Sequence, residues 1–312
     1  MRGRAPLSPN MVGSLCALAS TCFFSFNDSI VKHFSDDYAL HQIILTRSVF
    51  GLLFVMVLIA PFAGGLSVIR TTKLKRHLFR GLLVVTANMC FFLGLAVIPL
   101  AEAVAIFFIA PLLITAFSVV FLGETVGPRR WGAVIVGFIG VLIVMRPGAD
   151  TFQFASLLPI MAAFAYAGIH TMTRSIGTTE SAATMTFYIQ VVFIGVCLAI
   201  GLAVGDGRFG DQENGSLAFL LRAWEWPSWF DLFLMTLLGF GVAFAGLLIS
   251  QAYKVGEPGF VASFEYVGIP LSIAVGYFVF GEVPTLITLL GVALILGSGL
   301  YAIARAQAAQ DQ

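Results

Sequence analysis

Residues 103–121 read Ala-Val-Ala-Ile-Phe-Phe-Ile-Ala-Pro-Leu-Leu-Ile-Thr-Ala-Phe-Ser-Val-Val-Phe, a stretch without one charged side chain. An α-helix needs about 20 mostly apolar residues to cross a hydrocarbon core of roughly 30 Å. With one residue added at each end, Glu102–Leu122 therefore predicts a transmembrane helix. The apolar run is continuous rather than alternating, which argues against a strand of a membrane β-barrel.

Nine further stretches of similar character predict an all-α membrane protein with ten transmembrane helices. The ten predicted spans are Met11–His33, Leu40–Phe62, Leu78–Ile98, Glu102–Leu122, Trp131–Met145, Phe154–Arg174, Ala182–Val204, Trp229–Tyr253, Phe260–Phe280 and Thr285–Ala304. Between the seventh and eighth spans, Leu217–Trp229 mixes bulky apolar residues with Arg222 and Glu225. This segment fits either a short surface helix or a plain loop.

The composition agrees with a chain surrounded by lipid. Of the 312 residues, 59% are hydrophobic and only 11% are charged, whereas a soluble domain keeps about a quarter of its residues charged. The formal net charge of +1 argues against a nucleic-acid partner, which would require a basic face. We therefore expect the lipid bilayer and a small-molecule substrate as partners, and the sequence leaves a homodimer open.

Motifs for catalysis, metal binding and ATP use do not occur in this sequence. Its four cysteines, Cys16, Cys22, Cys90 and Cys197, lie in apolar stretches without metal-ligand spacing, so we interpret them as small hydrophobic residues. The chain contains no G-x-x-x-x-G-K-[ST] phosphate loop, no H-E-x-x-H and no G-x-S-x-G. These findings predict a non-enzyme that needs no metal and no cofactor.

The basic residues predict the orientation of the chain. If the N-terminus is cytoplasmic, the inside segments hold twelve Lys and Arg residues, among them Arg80, and the outside segments hold four. Arg47 lies within a span and completes the seventeen. Cytoplasmic loops carry an excess of Lys and Arg, so we expect both termini on the cytoplasmic side.

The chain contains an internal repeat. Ala96-Val-Ile-Pro-Leu-Ala-Glu102 precedes an apolar run with Pro111 and then Leu122-Gly-Glu124; about 155–159 residues later, Ala252-Tyr-Lys-Val-Gly-Glu257 precedes a run with Pro270 and then Phe280-Gly-Glu282. The repeat predicts two five-helix domains, residues 1–148 and 152–312. Five spans is an odd number, so the copies enter the membrane in opposite directions, a recurring design of secondary transporters. Duplication for fold stability alone is the alternative.

Polar residues inside the spans are the candidate site, because an ionisable side chain in hydrocarbon costs at least about 2.5–3.5 kcal/mol. Aromatic neighbours could line the same cavity for a ring-bearing substrate. The predicted substrate- or ion-binding residues are Asn27, Asp28, Arg47, Asn88, Phe108, Tyr166, His170, Gln190, Phe264, Glu265 and Tyr266.

Each ionisable candidate also has a structural interpretation. Glu265 could take a proton or bind a cationic group, or it could pair with Arg47 to hold two helices together. Arg47 could grip a substrate carboxylate, or pair with Asp28 or Glu265. Asp28 precedes Lys32 by four residues, so the two could pair on one helix face. His170 is a packing residue or a ligand.

The acids next to the span ends have a simpler interpretation. Glu102 and Glu257 lie near the starts of the fourth and ninth spans, where an acid suits a helix N-terminus. Glu124 and Glu282 each follow a glycine at a span end and are expected in loops or at an interface. We therefore place none of these four acids among the candidate site residues.

Several motifs resemble the drug/metabolite transporter superfamily and specifically its EamA family. They are Pro99-Leu-Ala-Glu102-Ala, Leu122-Gly-Glu124, Arg129-Arg-Trp-Gly-Ala, Gly137-Phe-Ile-Gly-Val-Leu, Arg146-Pro-Gly, Phe264-Glu-Tyr and Phe280-Gly-Glu282. The resemblance covers nearly the whole chain and implies ten helices in two inverted repeats, a central cavity and transport without ATP. It places the protein in a bacterial inner membrane.

Within that family, Phe26-Asn-Asp28 with Lys32, and His77-Leu-Phe-Arg80-Gly-Leu-Leu, are similar to bacterial S-adenosylmethionine uptake carriers. Riboflavin carriers are similar at the first span, and amino-acid or drug efflux is a further option. The family's usual Glu-Pro-Val in the ninth helix is Glu265-Tyr-Val here. The leading hypothesis is a secondary transporter, proton-coupled or exchanging; the alternatives are a polytopic enzyme acting on lipids and a non-transporting scaffold.

Overall fold

The computed structural model describes residues 8–123, 127–148, 152–176, 180–256, 261 and 264–310, and every regular element in them is a helix. Short 3₁₀ or π turns extend or connect several of the longer helices. The α-helices are α1 (Pro9–His33), α2 (Leu40–Phe54), α3 (Leu74–Leu95), α4 (Leu100–Phe107), α5 (Ala110–Leu122), α6 (Pro128–Met145), α7 (Leu157–Ile176), α8 (Ala182–Val204), α9 (Gly215–Leu221), α10 (Trp229–Val255), α11 (Gly268–Phe280) and α12 (Leu286–Gln310).

The predicted all-helical membrane fold is confirmed. Among the residues that the structure describes, seven helical segments are long and apolar enough to cross a membrane, and three shorter apolar helices lie at Trp131–Met145, Gly268–Phe280 and Leu286–Ala302. The observed helices fall on the predicted spans. The largest shift of a start, apart from the ninth span, is at α3, which begins at Leu74, four residues before the prediction.

Local sequence explains where the helices begin and end. Ser8, Ser181 and Ser228 each cap the N-terminus of the helix that follows, by accepting a backbone N–H through the side chain. Gly123 and Gly281 end α5 and α11 in the left-handed conformation, with φ of 70° and 66°, which glycine adopts without a steric penalty. The two Gly-Glu motifs of the repeat thus begin with the same backbone turn.

Two predicted spans are interrupted near their middles. Glu102–Leu122, expected as one helix, is divided into α4 and α5 by a turn at Phe108 and Ile109. In the second half, Phe264 and Glu265 are helical, and a turn at residues 266–267 precedes α11. The predicted span is confirmed at Leu100–Phe121, and the structure adds two non-helical residues within its apolar run.

The two halves of the chain pack closely on each other. The main contacts join α1 to α10, α3 to α7, α2 to α8 and α10, and α6 to α12. A Cβ atom built at Gly140 on α6 would lie 2.9 Å from the carbonyl oxygen of Gly291 on α12, and one built at Gly291 would lie 2.8 Å from that of Gly140. These glycines therefore allow two backbones to touch, as small residues do between membrane helices.

The segment between α8 and α10 contains a short helix, as one of the two interpretations predicted. It is α9, which begins two residues before the predicted start and ends at Leu221. Ser216 donates to the carbonyl of Leu93 at the end of α3 (2.6 Å), and Arg222 donates to the carbonyl of Ser35 (2.8 Å). These hydrogen bonds hold the segment between α8 and α10 against the C-terminal ends of α1 and α3.

Candidate substrate site

A cavity of about 180 Å³ lies between the helices of both halves. This volume is the space open to the centres of water-sized spheres. One buried water molecule needs roughly 10–15 Å³ of such space, so the cavity has room for on the order of ten waters. Its walls come from α1, α2, α3, α4, α7, α8, α10 and α11. Eight of the predicted site residues line it: Asp28, Arg47, Asn88, Phe108, Tyr166, His170, Gln190 and Glu265.

Arg47 is the centre of a buried polar network on one wall. Its side chain is only 1% exposed. Its Nη1 donates to Oδ1 of Asn27 (2.7 Å) and its Nη2 to Oδ1 of Asn88 (2.5 Å), while Nδ2 of Asn27 donates to Oδ1 of Asp28 (3.0 Å). The guanidinium also lies over the rings of Phe92 and Phe193, at 5.5 and 5.6 Å, close enough for cation–π attraction.

The ion pairs that the sequence allowed for Arg47 do not form. In the part of the chain that the structure describes, no carboxylate lies within 4 Å of the Arg47 guanidinium. Asn27 stands between Arg47 and Asp28 and bonds to both. The interpretation of Arg47 as the partner of Asp28 or Glu265 is therefore wrong, because neutral amide oxygens accept its hydrogen bonds.

Glu265 is held by two tyrosine hydroxyls. Tyr166 donates to its Oε2 (2.5 Å), and Tyr253 donates to its Oε1. His170 packs between the same two tyrosines, with ring centroids 4.1 Å from Tyr166 and 3.9 Å from Tyr253. Tyr253, on α10, was not predicted; a tyrosine in an aromatic-rich span carries no sequence signal that distinguishes it from a packing residue.

Aromatic side chains form a continuous surface along the cavity, which we call the aromatic wall and define as Phe91, Phe107, Phe108 and Tyr166. Phe107 contacts Phe91, Phe108 and Tyr166, with centroid distances of 5.4, 6.1 and 5.1 Å and steep interplanar angles. Edge-to-face pairs of this kind are favourable. The break between α4 and α5 places Phe107 and Phe108 side by side on this wall.

Arg80 is a site residue that the sequence analysis assigned to the cytoplasmic segments. It is 2% exposed and lines the cavity from α3. Its guanidinium donates to Thr173 on α7 (2.7 Å), to the carbonyl of Met185 on α8 (3.5 Å) and to Ser250 on α10 (3.4 Å). Counting Arg80 among the cytoplasmic basic residues is wrong, because the residue lies near the start of the predicted third span and the structure buries it between α3, α7, α8 and α10.

Three predicted site residues do not line the cavity. Asn27 lies buried behind Asp28, and Phe264 lies outside the cavity lining. Tyr266 packs on Phe108, with ring centroids 5.5 Å apart, and a Cβ atom at Gly299 would collide with it. Tyr266 therefore supports the aromatic wall from behind.

Acidic residues tie the two halves together near the end of α1. Lys32 pairs with Glu282 (2.5 Å), whose other oxygen accepts the backbone N–H of Leu100 (2.8 Å) and so caps α4. Glu102 accepts from Thr288 on α12 (3.0 Å). The pairing of Asp28 with Lys32, one of the two interpretations that the sequence left open, does not form, because the lysine reaches across to Glu282 in the second half. Glu124 and Glu257 lie outside the described residues.

Comparison with known families shows which proteins this chain is similar to. Residues 11–146 match the model of the EamA-like transporter family. Most of the first half of the chain is therefore similar to EamA-like transporters. The resemblance to the EamA family that the motifs indicated is thereby confirmed, and the chain is a multi-pass membrane protein.

Relatives of this EamA-like chain are named as transporters. It is 35% identical over 175 residues to a riboflavin transporter of Vibrio cholerae, with 55% of this chain and 52% of the relative covered. It is 29% identical over 178 residues to a riboflavin transporter of Rhizobium johnstonii, covering 57% and 53%. It is 26% identical over 180 residues to an S-adenosylmethionine uptake transporter of Rickettsia prowazekii, covering 58% and 55%.

The extent of these matches differs between sequence and structure. The chain spans about half the length of the curated relatives it matches. One crystal structure superposes on 95% of this chain and 97% of its own, with a TM-score of 0.66 at 17% sequence identity. At that identity the likeness shows a shared fold alone.

Proposed function

We propose that this EamA-like protein is a secondary carrier that moves a small metabolite across the inner membrane by alternating access. The observation that carries the proposal is the central cavity, into which both halves contribute aromatic and ionisable side chains. Burying Arg47, Arg80 and Glu265 among apolar helices is costly unless a cavity, water or a ligand meets them. Polar groups gathered around a water-accessible space near the middle of the spans are what a carrier requires.

The arrangement of helix contacts supports two inverted five-helix repeats. The repeat relates α1 to α7, α2 to α8, α3 to α10, and α6 to α12. If each helix is replaced by its equivalent in the other half, the α1–α10 contact becomes the α7–α3 contact, which is also observed. The α2–α8 and α6–α12 contacts each join two equivalent helices, so this replacement leaves them unchanged. Such a pseudo-twofold arrangement lets two nearly equivalent packings exchange around a fixed central site.

The predicted orientation follows from the charge distribution and stays a proposal. Both termini lie on the cytoplasmic side, because basic residues concentrate there under the positive-inside rule. Since α1 runs outward, Lys32 and Glu282 then lie at the outer end of the bundle. The homodimer also stays a prediction.

For the substrate we propose riboflavin first and S-adenosylmethionine second, the reverse of the order that the sequence motifs favoured. The more similar of the relatives named above are called riboflavin transporters. The aromatic wall supports either, because both molecules carry a planar heteroaromatic ring that can pack on phenylalanine faces.

Glu265 is the proposed coupling residue. It lines the cavity, and two tyrosine hydroxyls hold its carboxylate beside His170. In Glu265→Gln the side chain keeps a carbonyl acceptor of similar shape but cannot release or bind a proton. We expect substrate exchange to continue in this variant while accumulation driven by a pH gradient is lost.

Proteoliposome flux tests the proposal. Purified protein is reconstituted, and uptake of radiolabelled riboflavin and S-adenosylmethionine is measured with and without a pH gradient, with protein-free liposomes as the control. Saturable, protein-dependent uptake of either compound is expected. Absence of uptake and of exchange for both compounds would remove these substrates, and unchanged pH dependence in Glu265→Gln would remove the coupling role.

The site also weighs against the two alternatives. A non-transporting scaffold predicts a packed centre, whereas the centre here holds a cavity. A lipid-modifying enzyme predicts catalytic polar residues at one membrane interface. Arg47, Asn88, Gln190 and Glu265 instead come from the interiors of four spans, which favours the carrier.

A further inference from the structure

Three side chains on the cavity wall carry polar atoms that the protein leaves available. In the described part of the chain, Nδ2 of Asn88, Oδ2 of Asp28 and the amide of Gln190 make no hydrogen bond to another protein group. All three residues line the cavity. These atoms are not among the buried groups closed off from solvent, so they are open to whatever occupies the cavity.

The hydrogen bonds of Arg47 determine which polar atoms of its neighbours remain without a protein partner. A guanidinium has only donors, so the amide groups of Asn27 and Asn88 must turn their oxygens towards it. The amide nitrogen of Asn88 is then free to donate into the cavity. The amide nitrogen of Asn27 is used on Oδ1 of Asp28, which leaves Oδ2 of Asp28 as an acceptor.

An open acceptor and an open donor therefore flank one rigid guanidinium. Asp28 reaches Nη1 of Arg47 through Asn27, and Asn88 bonds Nη2 directly. Gln190 lies on α8 one turn before Phe193, which packs on the same guanidinium. Its amide lies beside Gly51, one turn beyond Arg47 on α2, and adds a second donor and acceptor to the cavity wall. The aromatic wall, which contains no ionisable carboxylate or guanidinium, supplies the apolar face of the site.

We propose that the cavity selects a planar nitrogen heteroaromatic ring by one polar edge. A ring N–H or exocyclic amine donates to Oδ2 of Asp28, the neighbouring carbonyl or ring nitrogen accepts from Nδ2 of Asn88, and the ring face packs on Phe91 and Phe107. Asn27 is a positioning residue, because it acts through Asp28 and Arg47. This inference rests on the proposed transport function and adds to it the atoms that distinguish one substrate from another.

A site that hydrogen-bonds a substrate N–H rejects an analogue without it, because its own polar groups are left unpaired. The pair that tests this is riboflavin, with an imide N3–H between two carbonyls, and N3-methylriboflavin. We expect the methyl group to weaken binding to the wild-type protein by at least about tenfold. For S-adenosylmethionine the corresponding pair is the parent compound and its N6,N6-dimethyladenine analogue.

A mutant cycle identifies the partner of that N–H. Binding of both flavins is measured by fluorescence quenching in wild type, Asp28→Ala and the control Asp206→Ala, whose carboxylate forms an exposed pair with Arg208. If Asp28 accepts the N–H, Asp28→Ala binds riboflavin as weakly as wild type binds the methylated compound, and methylation has little further effect. Asp206→Ala behaves as wild type.

The flux and binding measurements together distinguish a failure of the proposed edge recognition from a failure of the proposed transport function. Saturable flux of riboflavin with equal binding of both flavins would overturn the edge recognition and leave the carrier standing. Flux and binding of neither parent compound would overturn both. Because the analogue comparison uses the wild-type protein, it stands even if Asp28→Ala does not fold.

Discussion

At the scale of the residue, the site is organised by a buried cation that is bound by neutral groups. Two amide oxygens each accept a hydrogen bond from the Arg47 guanidinium without neutralising its charge, and the guanidinium lies over the rings of Phe92 and Phe193. A carboxylate in direct contact with Arg47 would form an ion pair, and neither charged group would then be available to a substrate. With Asn27 interposed, Asp28 keeps one oxygen open to the cavity.

Arg47→Lys tests this arrangement. A lysine ammonium is a compact point charge and cannot reproduce the planar fork that binds two amides at once. We expect the variant to reach the membrane and to lose riboflavin flux by about tenfold, corresponding to about 1.4 kcal/mol, which is close to the lower limit of about 1.5 kcal/mol for a hydrogen bond to a charged group. Arg208→Lys, at an exposed position, is the matched control. Equal flux in both variants would contradict the role of Arg47.

The sequence identified these residues more readily than their partners. Arg47 and Glu265 were recognisable because each interrupts an apolar span. Their partners depend on how each helix is rotated about its axis, which hydropathy does not report. Arg80 was misassigned because it follows Lys75, Arg76 and His77, a basic run typical of a loop.

At the scale of the element, the broken helices shape the site. The turn at Phe108 and Ile109 is followed by Pro111 in the first turn of α5, where a missing N–H costs no helical hydrogen bond. In the second half a turn precedes α11, with Pro270 as its third residue. Discontinuous helices at a central site are common in transporters with inverted repeats. Two non-helical residues are too few for a hydropathy pattern to show.

The contact between α6 and α12 gives a prediction on stability. In Gly140→Ala the added methyl group would lie 2.9 Å from the backbone oxygen of Gly291, so the helices must move apart. We expect a loss of about 1–3 kcal/mol, as for other overpacked sites, measured by thermal unfolding of the detergent-purified protein.

Gly297→Ala is the control on the same helix pair, because nothing lies within 4 Å of a Cβ atom built at Gly297. That variant is expected to be neutral or to gain up to about 1 kcal/mol, since alanine favours a helix more than glycine does. A similar unfolding midpoint for Gly140→Ala and Gly297→Ala would argue against close α6–α12 packing.

At the scale of the whole molecule, the positions of the spans could be predicted and their mutual arrangement could not. Continuous apolar runs defined the helices, and the Gly-Glu motifs placed equivalent turns at Gly123 and Gly281. Which helices of one half touch those of the other depends on contacts such as Arg80–Thr173 and Lys32–Glu282, between residues 93 and 250 positions apart in the sequence. The cross-links made by Lys32 and Arg80 are of this kind and have no local signature.

These cross-links hold the two ends of the cavity in different ways. At the end near His77, Arg80 joins α3 to α7, α8 and α10, while Glu180 accepts from Thr71 (2.9 Å) and lies 3.5 Å from His77. At the other end Glu282 joins α11 to α1 and α4. In the proposed carrier cycle, these two sets of contacts would have to break in turn.

The Lys32–Glu282 pair should therefore control access to the cavity from one side of the membrane. The pair is partly buried, and Lys32 also lies over the ring of Phe280 at 5.3 Å. The variant Lys32→Met removes the pair and so weakens the contacts at this end of the cavity, while the contacts near His77 stay intact. The reporter is Ser25→Cys, on the cavity wall, in a protein whose four native cysteines are replaced by alanine. An impermeant maleimide should label it from outside intact cells about fivefold faster in Lys32→Met, the factor that corresponds to about 1 kcal/mol for such a pair.

Asp206→Asn, which breaks the exposed pair with Arg208, should leave the labelling rate unchanged. Faster labelling only in inverted vesicles would reverse the proposed orientation while keeping the role of the pair. An unchanged rate from both sides would show that the Lys32–Glu282 contact does not hold this end closed. In that case the contacts of Glu102 and Arg146 with Thr288 on α12 are the next link between the halves to test at this end, by Thr288→Val in the same labelling assay.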